Sequence, residues 1–145
     1  WRIGAVTGPS EVIAKMTLLL ETTSSCVSPF IQEAAVEALT SSQDTISEMM
    51  LEFQTRRDLM VSLINDIPSM SCITPKGAFY IFANISKTGL DDIEFCATIL
   101  KEASVAACPG SFFGEFGRGY VRFCFANSEG NIRKAMKRIK SFLEK

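Results

Sequence analysis

The sequence predicts an α/β chain whose later part, residues 68–145, is an α+β lobe, a mixed sheet with helices packed on it. Three observations carry this reading. Apolar residues recur with helical spacing in long segments and with period two in short runs between them. One segment, residues 44–67, reads as a single long helix ahead of the lobe. Apolar residues make up 47% of the 145 positions and charged residues 21%, enough for a sizeable core and too apolar for a disordered chain.

Trp1-Arg2-Ile3-Gly4-Ala5-Val6-Thr7 reads as a short strand ended by Gly8-Pro9. Ser10 is a good N-cap for a helix over residues 11–20. The hydroxyl-rich run Thr22-Thr23-Ser24-Ser25 reads as a loop, and Pro29 suits the first turn of a helix over residues 30–39. Asp44 or Thr45 caps the long helix, with an apolar stripe of Ile46, Met49, Met50, Phe53, Met60, Ile64 and Ile67. Arg57 interrupts the stripe, so that part of the helix is expected to leave the core, and Pro68 stops it. At about 1.5 Å per residue the helix is long enough to bridge two lobes.

Cys72-Ile73-Thr74, the turn Pro75-Lys76-Gly77 and the run Ala78-Phe79-Tyr80-Ile81-Phe82-Ala83 predict a β-hairpin. Asp91 or Asp92 caps a helix to about Ala103. A short strand, Val105-Ala106-Ala107-Cys108, leads into the loop Pro109-Gly110-Ser111-Phe112-Phe113-Gly114. Gly119-Tyr120-Val121-Arg122-Phe123-Cys124-Phe125-Ala126 is a strand. The last helix starts near Ser128 and buries Ile132, Ala135, Met136, Ile139, Phe142 and Leu143. The first 40 residues or so hold one strand and two helices, which need a sheet from elsewhere. The chain also starts at Trp1 rather than Met, as expected for a processed protein or a fragment of a longer one.

Composition excludes several chemistries. There is no histidine, so Ser-His-Asp and Cys-His catalysis and His-based zinc sites are absent. Cys26, Cys72, Cys96, Cys108 and Cys124 form no C-x-x-C pair, which suggests neither a disulfide framework nor a thiolate metal site, and reads as reduced thiols in a cytosol. Fifteen basic and 16 acidic residues give a net charge of −1, with no excess pointing to nucleic acid or a membrane surface. No apolar stretch approaches the roughly 20 residues that span a bilayer. The last 28 residues hold 8 of the basic residues and only Glu129 and Glu144 as acids. A basic helix could contact RNA or DNA. Its cations lie opposite a clean apolar stripe without interleaved aromatic residues, and a solvated face is the reading adopted.

Arg122 is the most informative position. Val121, Phe123 and Phe125 share one face of its strand, and Tyr120, Arg122, Cys124 and Ala126 share the other. A guanidinium buried there needs a partner, because unpaired burial of charge costs several kcal/mol. Its fork matches a carboxylate bidentately. The alternatives are a structural salt bridge to an acid elsewhere, or an edge strand with Arg122 in solvent. Arg2, near Gly4 and a Gly-Pro turn, could reach a phosphate or sit as a surface arginine at a strand end. The hydroxyls of Thr22-Thr23-Ser24-Ser25 could donate to phosphate oxygens or cap a solvated loop. The Pro109–Gly114 loop could approach a ligand through its glycines or be a turn with two packed phenylalanines.

Four stretches in register resemble the class I and II aminotransferases. Trp1-Arg2-Ile3-Gly4 resembles the end of S-K-x-x-x-M-T-G-W-R-I-G, and Gln54-Thr55-Arg56-Arg57-Asp58 resembles the R-R-D of the family's interdomain helix. Pro75-Lys76-Gly77-Ala78-Phe79-Tyr80 resembles the P-x-G-A-F-Y hairpin. Pro109-Gly110-Ser111-Phe112-Phe113-Gly114 with Gly119-Tyr120-Val121-Arg122-Phe123-Cys124-Phe125-Ala126 resembles the pair P-G-x-x-F-G and G-Y-V-R-x-S-F-A. The likeness covers essentially the whole chain and is greatest to bacterial and archaeal aspartate aminotransferase-like enzymes.

The resemblance implies the C-terminal portion of a fold type I, pyridoxal-phosphate-dependent transferase. Residues 1–43 would end the large domain, 44–67 would be the interdomain helix and 68–145 the small domain. The parent would be a cytoplasmic homodimer moving an amino group between an amino acid and a 2-oxo acid. Arg122 would bind the substrate α-carboxylate and Arg2 the cofactor phosphate, and Thr23 and Ser24, in the segment that resembles the one reaching the phosphate across the dimer, would be further phosphate contacts. Cys124 stands where the family usually has serine. The family's Schiff-base lysine precedes W-R-I-G, and neither Lys15 nor Lys76 sits in that motif, so this stretch alone is expected to be inactive. The same motifs occur in related lyases and synthases such as aminocyclopropane carboxylate synthase-like proteins. A non-enzymatic α+β binding module is the alternative from another class.

Overall fold

The computed structural model describes residues 2–144 and divides after Asp44 into two compact units. In the first, helix α1 (Ser10–Thr23) and helix α2 (Pro29–Thr40) follow an irregular segment. Residues 2–7 form no strand, contrary to the sequence reading, and Trp1 lies outside the described residues. A strand needs a neighbour to take up its backbone groups, and none pairs with this segment here. Helix α1 also runs further than expected. Thr22 and Thr23 donate their hydroxyls back to the carbonyls of Leu19 (2.9 and 2.8 Å), which carries the helix through half of the supposed hydroxyl loop. Pro29 sits at the first position of α2 as expected. No residue of either helix is buried.

Helix α3 (Asp44–Asn65), about 33 Å long at the usual rise, lies in the second unit from its second residue onward. Its apolar stripe divides in two. Met60 and Ile64 are buried, and Ile67 follows them into the core, while Ile46, Met49 and Met50 stay exposed. Arg57 marks the change: its guanidinium pairs with Asp58 at 2.7 Å and reaches the carbonyl of Pro75 at 3.5 Å instead of entering the core.

Three strands follow: β1 (Tyr80–Asn84), β2 (Cys108–Pro109) and β3 (Tyr120–Cys124). Their order is β1-β3-β2, with both pairings antiparallel, so the sheet is wholly antiparallel among the described residues rather than mixed. The hairpin expected before β1 shrinks to a single bridge between Ser71 and Asn84. The Asn65 side chain accepts from the Cys72 N–H at 2.9 Å and donates to the Cys72 carbonyl at 3.2 Å, so neither group is free for a ladder. The strand expected at residues 105–108 is also shortened, because the Val105 N–H closes the preceding helix onto the carbonyl of Ile99.

Helix α4 (Asp92–Ala103) is capped by the Asp91 carboxylate, which accepts from the Glu94 N–H at 2.7 Å. Helix α5 (Glu129–Leu143) is capped by Ser128 in the same way. Phe95 and Ile99 of α4 and Ile132, Met136 and Ile139 of α5 pack with Ile81, Ala83, Val121 and Phe123 of the sheet. That core lies on one sheet face and takes in the end of α3. The other face of the sheet carries Tyr80, Phe82, Tyr120, Arg122 and Cys124, all half-buried or exposed.

Candidate functional site

Arg122 lies in the middle of the central strand, opposite Phe82 of β1 and Cys108 of β2. Strand alternation sends Val121 and Phe123 into the core and turns Arg122 to the opposite face. Neither alternative is seen among the described residues. Arg122 is not on an edge strand, and among the described residues no carboxylate pairs with it and no hydrogen bond engages its N–H groups.

Its neighbours are aromatic. The guanidinium carbon lies 4.3 Å from the ring centre of Tyr80 and 4.2 Å from that of Phe113. Phe113 meets Phe82 edge to face at 5.7 Å, and Phe82 lies 6.2 Å from Tyr120. A cation against a ring face gains about 0.5–2 kcal/mol, which helps to hold the guanidinium in place. The result is a half-buried cationic fork whose hydrogen-bonding edge is unspent. Such a fork suits a planar anion that accepts two parallel hydrogen bonds.

Phe113 comes from the connection between β2 and β3, two tight turns at Gly110–Phe113 and Glu115–Gly117. Gly110 and Gly117 are buried against each other, and a Cβ on either would strike the carbonyl of the other. From the helix side, buried Asp92 accepts from the Ser111 N–H at 2.8 Å. Burial alone would push the Asp92 carboxyl up. Hydrogen bonds from Ser111 and from the backbone of Asp92 and Gly119 outweigh it and hold the group below its ordinary value. Sequence reasoning found Arg122 but missed Tyr80, Phe113 and Asp92 around it. Period two places Tyr80 on one face of its strand, but the pairing register that brings it to Arg122 is not written in either strand alone.

The other expected site residues belong to the first unit. Arg2 is exposed, with no ion pair or hydrogen bond of its side chain among the described residues. Thr23 is the last residue of α1, and its hydroxyl is engaged by Leu19. Ser24 is the C-cap, with its backbone N–H on the carbonyl of Leu20 at 2.9 Å. No cluster of three or more Cys, Asp or Glu side chains among the described residues could hold a metal ion. No helix among them is long and apolar enough to cross a membrane.

Comparison with known proteins places this geometry. The profile of the family described as aminotransferase class I and II matches residues 1–139, and the chain belongs to that family. It is 40% identical over 146 aligned positions to an aspartate aminotransferase of Pyrococcus horikoshii, covering 99% of this chain and 37% of that protein. It is 38% identical to aromatic-amino-acid aminotransferase 2 of Thermococcus litoralis, with the same two coverages, 99% and 37%. Among solved structures, an aromatic aminotransferase from Pyrococcus horikoshii superimposes with a TM-score of 0.88 at 38% identity, over 94% of this chain and 36% of that one. The chain thus spans a little over a third of the length of the relatives it matches.

Proposed function

We propose that this chain is the C-terminal part of a pyridoxal-phosphate-dependent aminotransferase that moves an amino group between an amino acid and a 2-oxo acid. Residues 1–43 end its large domain, 44–67 form the interdomain helix and 68–145 the small domain. The break between the two units after Asp44 supports the first boundary. A cytoplasmic homodimer completes the reading, and the five cysteines, all free, suit a reducing compartment.

The observation that carries the proposal is the unpaired guanidinium of Arg122 on the central strand. Arg122 binds and orients the α-carboxylate shared by donor and acceptor, so one cation serves both half-reactions. Its Tyr80 and Phe113 neighbours, 4.3 and 4.2 Å from the guanidinium carbon at their ring centres, restrain the fork. On the cofactor side, the first unit carries residue types whose donors suit a phosphate. Arg2 has an uncommitted guanidinium, and Ser24 adds a hydroxyl with no hydrogen bond among the described residues. Thr23 and Ser24 serve the phosphate across the dimer, and Thr23 donates to it only after leaving Leu19. When bound, pyridoxal phosphate supplies the electron sink that lets a proton leave the amino acid's α-carbon.

The test is made in the full-length protein. Arg122→Leu should raise the amino-acid KM by about 10- to 100-fold, the worth of a charge-assisted hydrogen-bonded pair. Pyridoxal phosphate content, read from the visible absorbance, should stay near wild type. An unchanged KM would sink the assignment.

A further inference from the structure

Tyr80 and Phe113 reach Arg122 from different kinds of structure. Tyr80 stands in β1, where five register pairs with β3 fix its place. Phe113 ends a single tight turn in a loop, and its neighbour Phe112 is 68% exposed. A loop aromatic ring stays against a guanidinium only if the loop itself is held. Two features hold this one. Gly110 and Gly117 press their backbones together at its base. Asp92 is the one buried charged side chain among the described residues, only 5% exposed, and its carboxylate takes the Ser111 N–H at 2.8 Å, two residues before Phe113. Asp92 begins α4, where the helix dipole favours a negative charge.

We propose that Asp92 and Phe113 act in series as positioning residues for carboxylate binding: the buried acid anchors the Gly110–Phe113 turn, and the turn holds the Phe113 ring on the Arg122 guanidinium. The inference rests on the reading of Arg122 as the α-carboxylate ligand. An arginine side chain on an open sheet face has many rotamers, and freezing them costs binding energy. A ring held 4.2 Å from the guanidinium carbon restricts that freedom before substrate arrives.

The experiment measures steady-state kinetics of the full-length protein, with a panel of amino acids as donors and 2-oxoglutarate as acceptor. Phe113→Leu should raise the donor KM about fivefold, with the loss falling on KM more than on kcat, whereas Phe113→Tyr keeps a ring and stays near wild type. Asp92→Ala should shift KM in the same direction, and Asp92→Asn, which keeps an acceptor oxygen for Ser111, should recover most of it. The double variant Asp92→Ala with Phe113→Leu should be no worse than Phe113→Leu alone, because both break one chain of contacts. Additive effects, no recovery with Asn, or a Phe113→Leu KM equal to wild type would each overturn the proposal. If Asp92→Ala does not fold, Asp92→Ser, too short to reach Ser111, takes its place in the cycle. Failure of both to fold gives Asp92 a purely structural role and removes it from the series. Arg122→Leu separates the two readings. If it raises KM and Phe113→Leu does not, only the positioning fails, and if neither does, the Arg122 assignment fails as well.

Discussion

At the scale of single residues, what distinguishes Asp92 is that its cost and its benefit are both visible. Its carboxylate loses water and gains hydrogen bonds from Ser111 and from nearby backbone, and the gain wins. A group whose folded-state pKa lies below its unfolded value adds stability above the unfolded value and loses it as the pH falls through the folded value. Asp92 therefore contributes at neutral pH and ceases to below the ordinary carboxylate range, about pH 4. Asp92→Asn should lower the neutral-pH Tm and flatten its decline between about pH 5 and about pH 3, as read by thermal melts. Parallel pH curves for the two proteins would show that the carboxylate adds nothing. The sequence marked Asp92 as one of two possible caps for α4. The structure gives the cap to Asp91 and leaves Asp92 free to turn inward.

At the scale of elements, the connection between β2 and β3 decides the site. Gly110 and Gly117 meet backbone to backbone, so a methyl group at either has no soft neighbour to displace. Gly117→Ala should cost about 1–3 kcal/mol, the usual cost of overpacking, measured by urea unfolding. Gly130 offers the contrast: it lies in the first turn of α5, and a methyl group there would meet nothing within 4 Å. Gly130→Ala should stabilise by about 0.5–1 kcal/mol by improving helix propensity. If Gly117→Ala cost nothing, the close approach of Gly110 and Gly117 would not be real. The helices themselves were legible. Asp91, Ser128 and Pro29 announce their starts with short side chains or a fixed φ, and the apolar spacing of α5 announces its buried face. The short strands were less so, because Asn65 and the end of α4 take backbone groups that a local reading assigns to ladders.

At the scale of the whole molecule, the core lies entirely in the second unit, from Met60 to Ile139. The first unit buries no residue of α1 or α2 and exposes Leu18, Leu19 and Leu20. Residues 45–145 alone should unfold cooperatively in urea, whereas residues 1–44 alone should show no cooperative transition by circular dichroism. A cooperative melt of the shorter piece would contradict the burial pattern, since amphipathic helices of this length draw their stability from packing. At the start of α3, Ile46, Met49 and Met50 have helical spacing yet stay exposed, as does Leu51 beside them.

By itself the sequence determined the helices, the face on which Arg122 stands and the family, because periodicity, caps and ordered motifs are local and survive without coordinates. Only the tertiary structure decided what surrounds Arg122. Strand order, register and the Asp92–Ser111 bond link residues far apart in the chain. Whether a guanidinium meets a carboxylate, water or two rings depends on which distant segments fold against it, and no local pattern encodes that.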